Sequence, residues 1–143
     1  MADGAQSFLN AIRLWAEGEP SVDGVALVGS HARGEARPGS DVDVVIISST
    51  PDTLLQACEW IDFFGTVAST RRDDFGAVQS LRVWYEDGLE VEFGIADWSW
   101  ASTEPLDVGT TAVVSAGMVV LLDKAGRLAA LRAKVSGART ASS

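Results

Sequence analysis

The chain has 143 residues, 47% of them hydrophobic, with twenty acidic and eleven basic side chains and a net charge of −9. It is about the size of one domain with a buried core. No apolar run nears the roughly 18 residues of a membrane span, the opening MADGAQSFLN lacks a signal stretch, and the lone cysteine, Cys58, excludes a disulfide framework or a thiolate metal cage, so a soluble, cytoplasmic protein is expected.

In chain order, Phe8, Leu9, Ile12, Trp15 and Ala16 recur at helical spacing and predict a first helix closed by Gly18 to Pro20. Val25 to Val28 and Val42 to Ile47 read as short buried strands, with a turn or two of helix at Ser30 to Glu35 between them. Pro51 and Asp52 open a helix through Leu54, Leu55, Cys58 and Ile61, in which Cys58 serves as a small apolar filler. Arg71 to Asp74 reads as a solvated loop.

The stretch LRVWYEDGLEVEFGI predicts a hairpin, and its register can be argued. A two-residue Asp87-Gly88 turn would mix apolar and charged residues on each face. A three-residue loop, Glu86 to Gly88, puts Leu81, Val83 and Tyr85 on one face with Leu89, Val91 and Phe93. Arg82 then lies opposite Glu92 on the polar face, and Glu90 and Glu92 point the same way. After DWSWAS, the run GMVVLLD predicts another strand, and Leu128, Leu131 and Val135 mark a final amphipathic helix ended by Gly137. One domain over residues 1–137 and a disordered tail over 138–143 are expected.

Charge is unevenly placed along this order. Through Asp123 twenty acids face six basic residues, a balance of −14, whereas Lys124, Arg127, Arg132, Lys134 and Arg139 follow with no acid. Such an acidic body argues against a broad nucleic-acid surface and favours cationic small molecules or basic proteins.

The segment LVGSHARGEARPGSDVDVVII, Leu27 to Ile47, carries the chemistry. In a strand, residues i and i+2 share a face roughly 6.5–7 Å apart, so Asp41 and Asp43 project side by side while Val42 and Val44 enter the core. Two adjacent carboxylates repel, and a hard divalent cation such as magnesium relieves the repulsion. The Gly29-Ser30 turn entering a short helix offers backbone N–H groups suited to phosphate. Taken singly, each feature has a plainer reading, a helix-opening turn or a loop of solvated charges. Their order within fifteen residues favours a phosphate cradle beside a metal pair.

Gly29-Ser30, Ala32-Arg33-Gly34 and Ser40-Asp41-Val42-Asp43, in that order, resemble the signature of the DNA polymerase beta-like nucleotidyltransferase superfamily. The resemblance implies an α+β fold, a mixed β-sheet flanked by α-helices. It also implies magnesium-dependent transfer of a nucleoside monophosphate from a nucleoside triphosphate, such as ATP, to an acceptor, with release of pyrophosphate. Gly29, Ser30 and Ser40 would serve nucleotide binding, Asp41 and Asp43 would hold two metals, and Arg33 and Gly34 would shape the short helix, with Arg33 a candidate for phosphate contact. The superfamily's third carboxylate falls on Glu92, between Val91 and Phe93 and beside Gly94. Glutamate stands there where aspartate is frequent, and simple pairing of Glu92 with Arg82 is the competing reading.

The resemblance further implies that Asp43 bridges both metals, that Asp41 binds mainly the nucleotide's metal, and that Glu92 completes the other or takes the acceptor's proton, with Glu90 the other candidate base. His31, at the motif's variable position, reads as a helix-surface residue. Arg71, Arg72 and Lys124 read as ordinary surface charges, and Trp98 and Trp100 as core or interface aromatics. The leading function is a nucleotidyltransferase acting on a hydroxyl of a small, antibiotic-like acceptor. A protein-modifying, antitoxin-like nucleotidyltransferase and a non-catalytic nucleotide-binding module are the alternatives. The chain's length gives some weight to a homodimeric site or a partner protein.

Overall fold

The structure, a computed structural model, describes residues 3–37, 40–76, 78–102 and 108–141. Its first helix, α1 (Asp3–Glu17), buries Phe8, Ile12 and Ala16 along one stripe. Then come β1 (Val22–Val28), the single turn α2 (Gly29–Ala32) and β2 (Val42–Ser48). A short α3 (Pro51–Gln56) and a 3-10 helix (Cys58–Phe64) lead to β3 (Val67–Asp74), β4 (Gln79–Tyr85) and β5 (Glu90–Ala96). The chain closes with α4 (Val108–Ala116), β6 (Val119–Asp123) and α5 (Arg127–Ala141).

The six strands form one sheet in the order β3-β4-β5-β2-β1-β6. All pairs are antiparallel except β2 with β5, so the sheet is mixed, and helices flank both faces. Strand alternation sorts the two faces. Val42, Val44, Ile46, Leu81, Val83, Val91, Phe93 and Ile95 point to the first face, into a core closed by α1, α3 and the 3-10 helix. There Phe8, Trp15, Trp60, Phe64 and Phe93 form a continuous aromatic cluster with ring centroids 4.9–6.5 Å apart. Each such pair adds about 0.5–1.5 kcal/mol beyond its burial. On the second face, α4 and α5 cover Ala26, Val28, Val45, Ile47 and Ala96 through Val114, Leu128, Leu131 and Val135. The β4–β5 end of that face carries polar residues instead.

The hairpin register is the one argued from face sorting. Leu81 pairs with Phe93, Arg82 with Glu92 and Val83 with Val91, and Gly88 takes φ 98° in the three-residue loop. Three elements differ from expectation. Arg71 to Asp74 is not a loop but the end of edge strand β3, which is polar on both faces; an edge strand needs no apolar alternation, and charge there blocks further pairing. The helix expected through Ile61 breaks at Ala57 (φ −114°, ψ 86°). Side chains take up the carbonyls that a continuous helix would use: the Trp60 indole donates to Leu54 O (2.9 Å), the Arg72 guanidinium to Leu55 O, and Tyr85 Oη to Ile61 O (2.9 Å). The last helix runs past Gly137 to Ala141, where the sequence predicts its end and then a disordered tail. A helical glycine costs only about 1 kcal/mol, too little to end the helix; Ser142 and Ser143 lie outside the described residues.

Candidate active site

Five strands bring one row of side chains together on the open part of the second face. Arg71 is opposite Arg82, Arg82 opposite Glu92, Glu92 beside Asp43, and Asp43 opposite Val28. Asp41 stands immediately before β2, which starts at Val42. Asp41, Asp43 and Glu92 each offer a carboxylate oxygen, all within 4.8 Å of one another. The structure thus gathers the three carboxylates that the sequence picked from two distant segments.

Asp43 sits deepest. Burial, the neighbouring charge of Asp41 and a hydrogen bond with Glu92 push its carboxyl up from 3.8 to about 8. Its Oδ1 is buried with no hydrogen-bond partner. An unsatisfied carboxylate oxygen among like charges is costly unless a cation completes it. The all-oxygen donor set suits a hard divalent ion, so the residues present fit a magnesium-type cation.

Gly29 abuts this cluster. It has φ +75°, and a Cβ placed on it would lie 2.3 Å from Asp43 Oδ2, so only glycine admits both this backbone and this neighbour. Ser30 follows in α2, where its carbonyl accepts from Glu35 N at 2.9 Å. The Arg33 Nε donates to Glu35 at 3.0 Å on the surface, while its stem lies along the cavity described below. Ser40 Oγ accepts from Arg37 N (2.8 Å) shortly before β2. His31 Nε2 lies 3.4 Å from Ser40 O.

Arg82 is more deeply involved than the sequence indicates. Its Nη1 reaches Asp41 Oδ2 at 3.1 Å and Glu90 Oε2 at 2.5 Å, and its Nη2 reaches Glu92 Oε2 at 3.2 Å. The cross-strand pairing weighed against a metal role for Glu92 therefore exists, and the convergence of Glu92 with Asp41 and Asp43 exists with it. Ser80 Oγ, absent from the sequence reading, donates to Glu92 Oε1 at 2.8 Å. Its position opposite Gly94 on the polar face of the hairpin was the available signal.

A cavity of about 440 Å³ opens from the carboxylates toward α4, with Asp43 and Glu92 at one end and Phe75, Val78, Trp100 and Val113 among its walls. Trp100 is buried there, whereas Trp98 lies outside it under the Arg127 guanidinium, 4.9 Å from the ring. Arg71 is turned to Asp73 (2.9 Å). Arg72 serves the first face, bonded to Leu55 O and Cys58 Sγ, and Lys124 Nζ donates to Glu19 O (2.9 Å). Cys58, partly buried, donates its thiol to the Leu55 carbonyl at 2.9 Å.

The profile of the nucleotidyltransferase domain matches residues 11–93, more than half of the chain and the whole span from Gly29 to Glu92. The chain belongs to the nucleotidyltransferase domain family. This is the DNA polymerase beta-like superfamily that the motif resembles. No curated protein sequence matches the chain. Among solved structures, this nucleotidyltransferase domain is similar to an aminoglycoside 6-adenyltransferase from Bacillus subtilis, with TM-score 0.52 and 13% identity over 68% of this chain and 37% of that one. Cid1, solved in complex with the UTP analogue UMPNPP, gives TM-score 0.48 and 14% identity over 65% of this chain and 30% of its own. The chain spans about a third of the length of these two proteins. The likeness to the adenyltransferase shows the shared fold. Among the described residues no helix is long and apolar enough to cross a membrane.

Proposed function

We propose that this nucleotidyltransferase domain moves a nucleoside monophosphate from a nucleoside triphosphate to a hydroxyl of a small acceptor. The observation that carries this reading is the convergence of Asp41, Asp43 and Glu92 beside Gly29, at the end of a cavity large enough for a small ring system. The acceptor oxygen forms a bond to the alpha phosphorus as the bond to the beta-phosphate oxygen breaks, and pyrophosphate leaves. Glu92 takes the hydroxyl proton in this scheme, because both glutamates touch Arg82 but Glu92 lines the cavity and Glu90 does not.

Asp41, Asp43 and Glu92 would hold divalent cations, which supply positive charge against the phosphate oxygens. Gly29 and Ser30 bring the triphosphate to the cluster, and Arg33 lies on the same side of it. The acceptor reading draws support from two features. The acidic body favours a cationic acceptor, and the apolar cavity walls favour one whose hydroxyl is carried on a ring framework. Antibiotic-like molecules combine both, and the similar adenyltransferase is named for an aminoglycoside.

The test is incubation of the purified chain with each alpha-labelled nucleoside triphosphate and magnesium, across panels of hydroxylated cationic small molecules and of proteins. Label on a small molecule with equimolar pyrophosphate is the expected result. Label on protein alone would replace the small acceptor by a protein one, and triphosphate binding without transfer would leave a binding module.

A further inference from the structure

Four carboxylates, those of Asp41, Asp43, Glu90 and Glu92, share one patch of the second sheet face, and a single guanidinium stands among them. Arg82 is 18% exposed, touches three of the four, and has its Nε buried with no partner. Arg71, directly opposite it on β3, is turned away to Asp73. The planar fork of arginine suits such sharing, because its donors diverge in fixed directions.

The division of its contacts is informative. Asp41 and Glu92 are also two of the three candidate cation ligands, whereas Glu90 is not. Glu90 therefore anchors the guanidinium through a contact that a bound cation does not contest. A divalent ion bound by Asp41, Asp43 and Glu92 would draw on two carboxylates that Arg82 already neutralises, and the two positive groups would repel at short range in a partly desolvated site.

Resting on the cation site of the preceding section, we propose that Arg82 is a resident counter-cation. It is a positioning residue that holds Asp41 and Glu92 together in the cation-free chain and opposes the divalent ion that takes them over, and so it sets the affinity for that ion. An arginine serving only as a packing salt bridge would stabilise the cation-free and cation-bound forms alike. A counter-cation stabilises the first at the expense of the second, and linkage makes this difference visible in cation binding itself.

The experiment measures melting temperature in EDTA and in saturating magnesium, and magnesium affinity by calorimetry, for the wild-type chain, Arg82→Gln and Arg82→Lys, without nucleotide. Arg82→Gln is expected to melt lower in EDTA, to gain more from magnesium than wild type, and to bind magnesium at least about tenfold more tightly, as removal of one close like charge implies. Arg82→Lys should fall between, because one ammonium cannot bridge three carboxylates. It decides the matter if the glutamine variant does not fold: magnesium binding no tighter than wild type overturns the proposal. Equal melting losses with and without magnesium, or an unchanged affinity, overturn the role of Arg82 alone. A wild-type chain that binds no magnesium overturns the cation site and the proposal together.

Discussion

Asp43→Asn tests the site through stability before any substrate is known. In the cation-free chain the folded-state carboxyl is raised to about 8 from an ordinary 3.8. Between these values the folded chain holds a proton that the unfolded chain has lost, so stability falls as pH rises from about 4 to about 8. At pH 7.5 the full shift would amount to about 5 kcal/mol at about 1.36 kcal/mol per unit. Solvent reaching a half-buried group screens part of this, and we expect about 2 kcal/mol. Asparagine has the same shape and no charge, so the variant should be more stable than wild type in EDTA at pH 7.5. For a chain of this size that is a rise of about 5 °C in melting temperature. The two should converge near pH 4, below which aspartate is protonated in both states. Magnesium should raise the melting temperature of wild type and leave the variant unmoved, and nucleotidyl transfer by the variant should fall by orders of magnitude. Differential scanning fluorimetry across pH, with and without magnesium, reads all of this. A variant that melts no higher than wild type in EDTA at pH 7.5, or that still responds to magnesium, would refute the electrostatic reading.

Other outcomes follow from the same geometry. Magnesium affinity of wild type should increase up to about pH 8, because binding displaces the Asp43 proton, and calorimetry in buffers of different ionisation enthalpy would show that proton's release. Glu92→Gln should lose far more turnover than Glu90→Gln at saturating magnesium, since only Glu92 belongs to the converging cluster; a larger loss for Glu90→Gln would move the site toward the hairpin turn. Gly29→Ala forces a methyl within 2.3 Å of Asp43 Oδ2 at φ +75°, and should cost about 1–3 kcal/mol in denaturant titration as well as activity. Tyr85→Phe removes the donor to Ile61 O and should cost about 1 kcal/mol, with no change in magnesium response.

The parts legible in the sequence were those fixed by local pattern. Alternation alone set the β4–β5 register, because only the three-residue loop kept Leu81, Val83 and Tyr85 on one face with Val91 and Phe93. The motif placed Gly29 and the two aspartates, and the family resemblance singled out Glu92, since face sorting alone left Glu90 and Glu92 on one side. Illegible were features that depend on which distant strands meet. Nothing in the sequence says that β2 lies parallel to β5, so the contact of Arg82 with Asp41 could not be read from it. The polar strand β3 has no periodicity to detect, and α3 ends early where Arg72, from β3, and Trp60, from the following 3-10 helix, take its carbonyls. The apolar cavity walls combine Phe75, Trp100 and α4, which no local signal connects.

The single parallel pairing also bears on how the chain folds. β1–β2 and β3–β4–β5 are each built from near neighbours in sequence, whereas Asp43 and Glu92 are joined across the β2–β5 seam between these two halves. Asp41 and Asp43 belong to one half, and Glu92, Glu90, Ser80 and Arg82 to the other, so the three carboxylates do not converge until the halves dock. Long-range pairing of this kind closes late, after local hairpins have formed. Magnesium should therefore slow unfolding and leave the refolding rate nearly unchanged, a pattern that stopped-flow chevrons with and without the ion would display. A faster refolding limb in magnesium would place the seam in the transition state instead. Among the ion pairs of the described residues, the one that joins the acidic edge of one half to the other is that of Arg82 with Asp41.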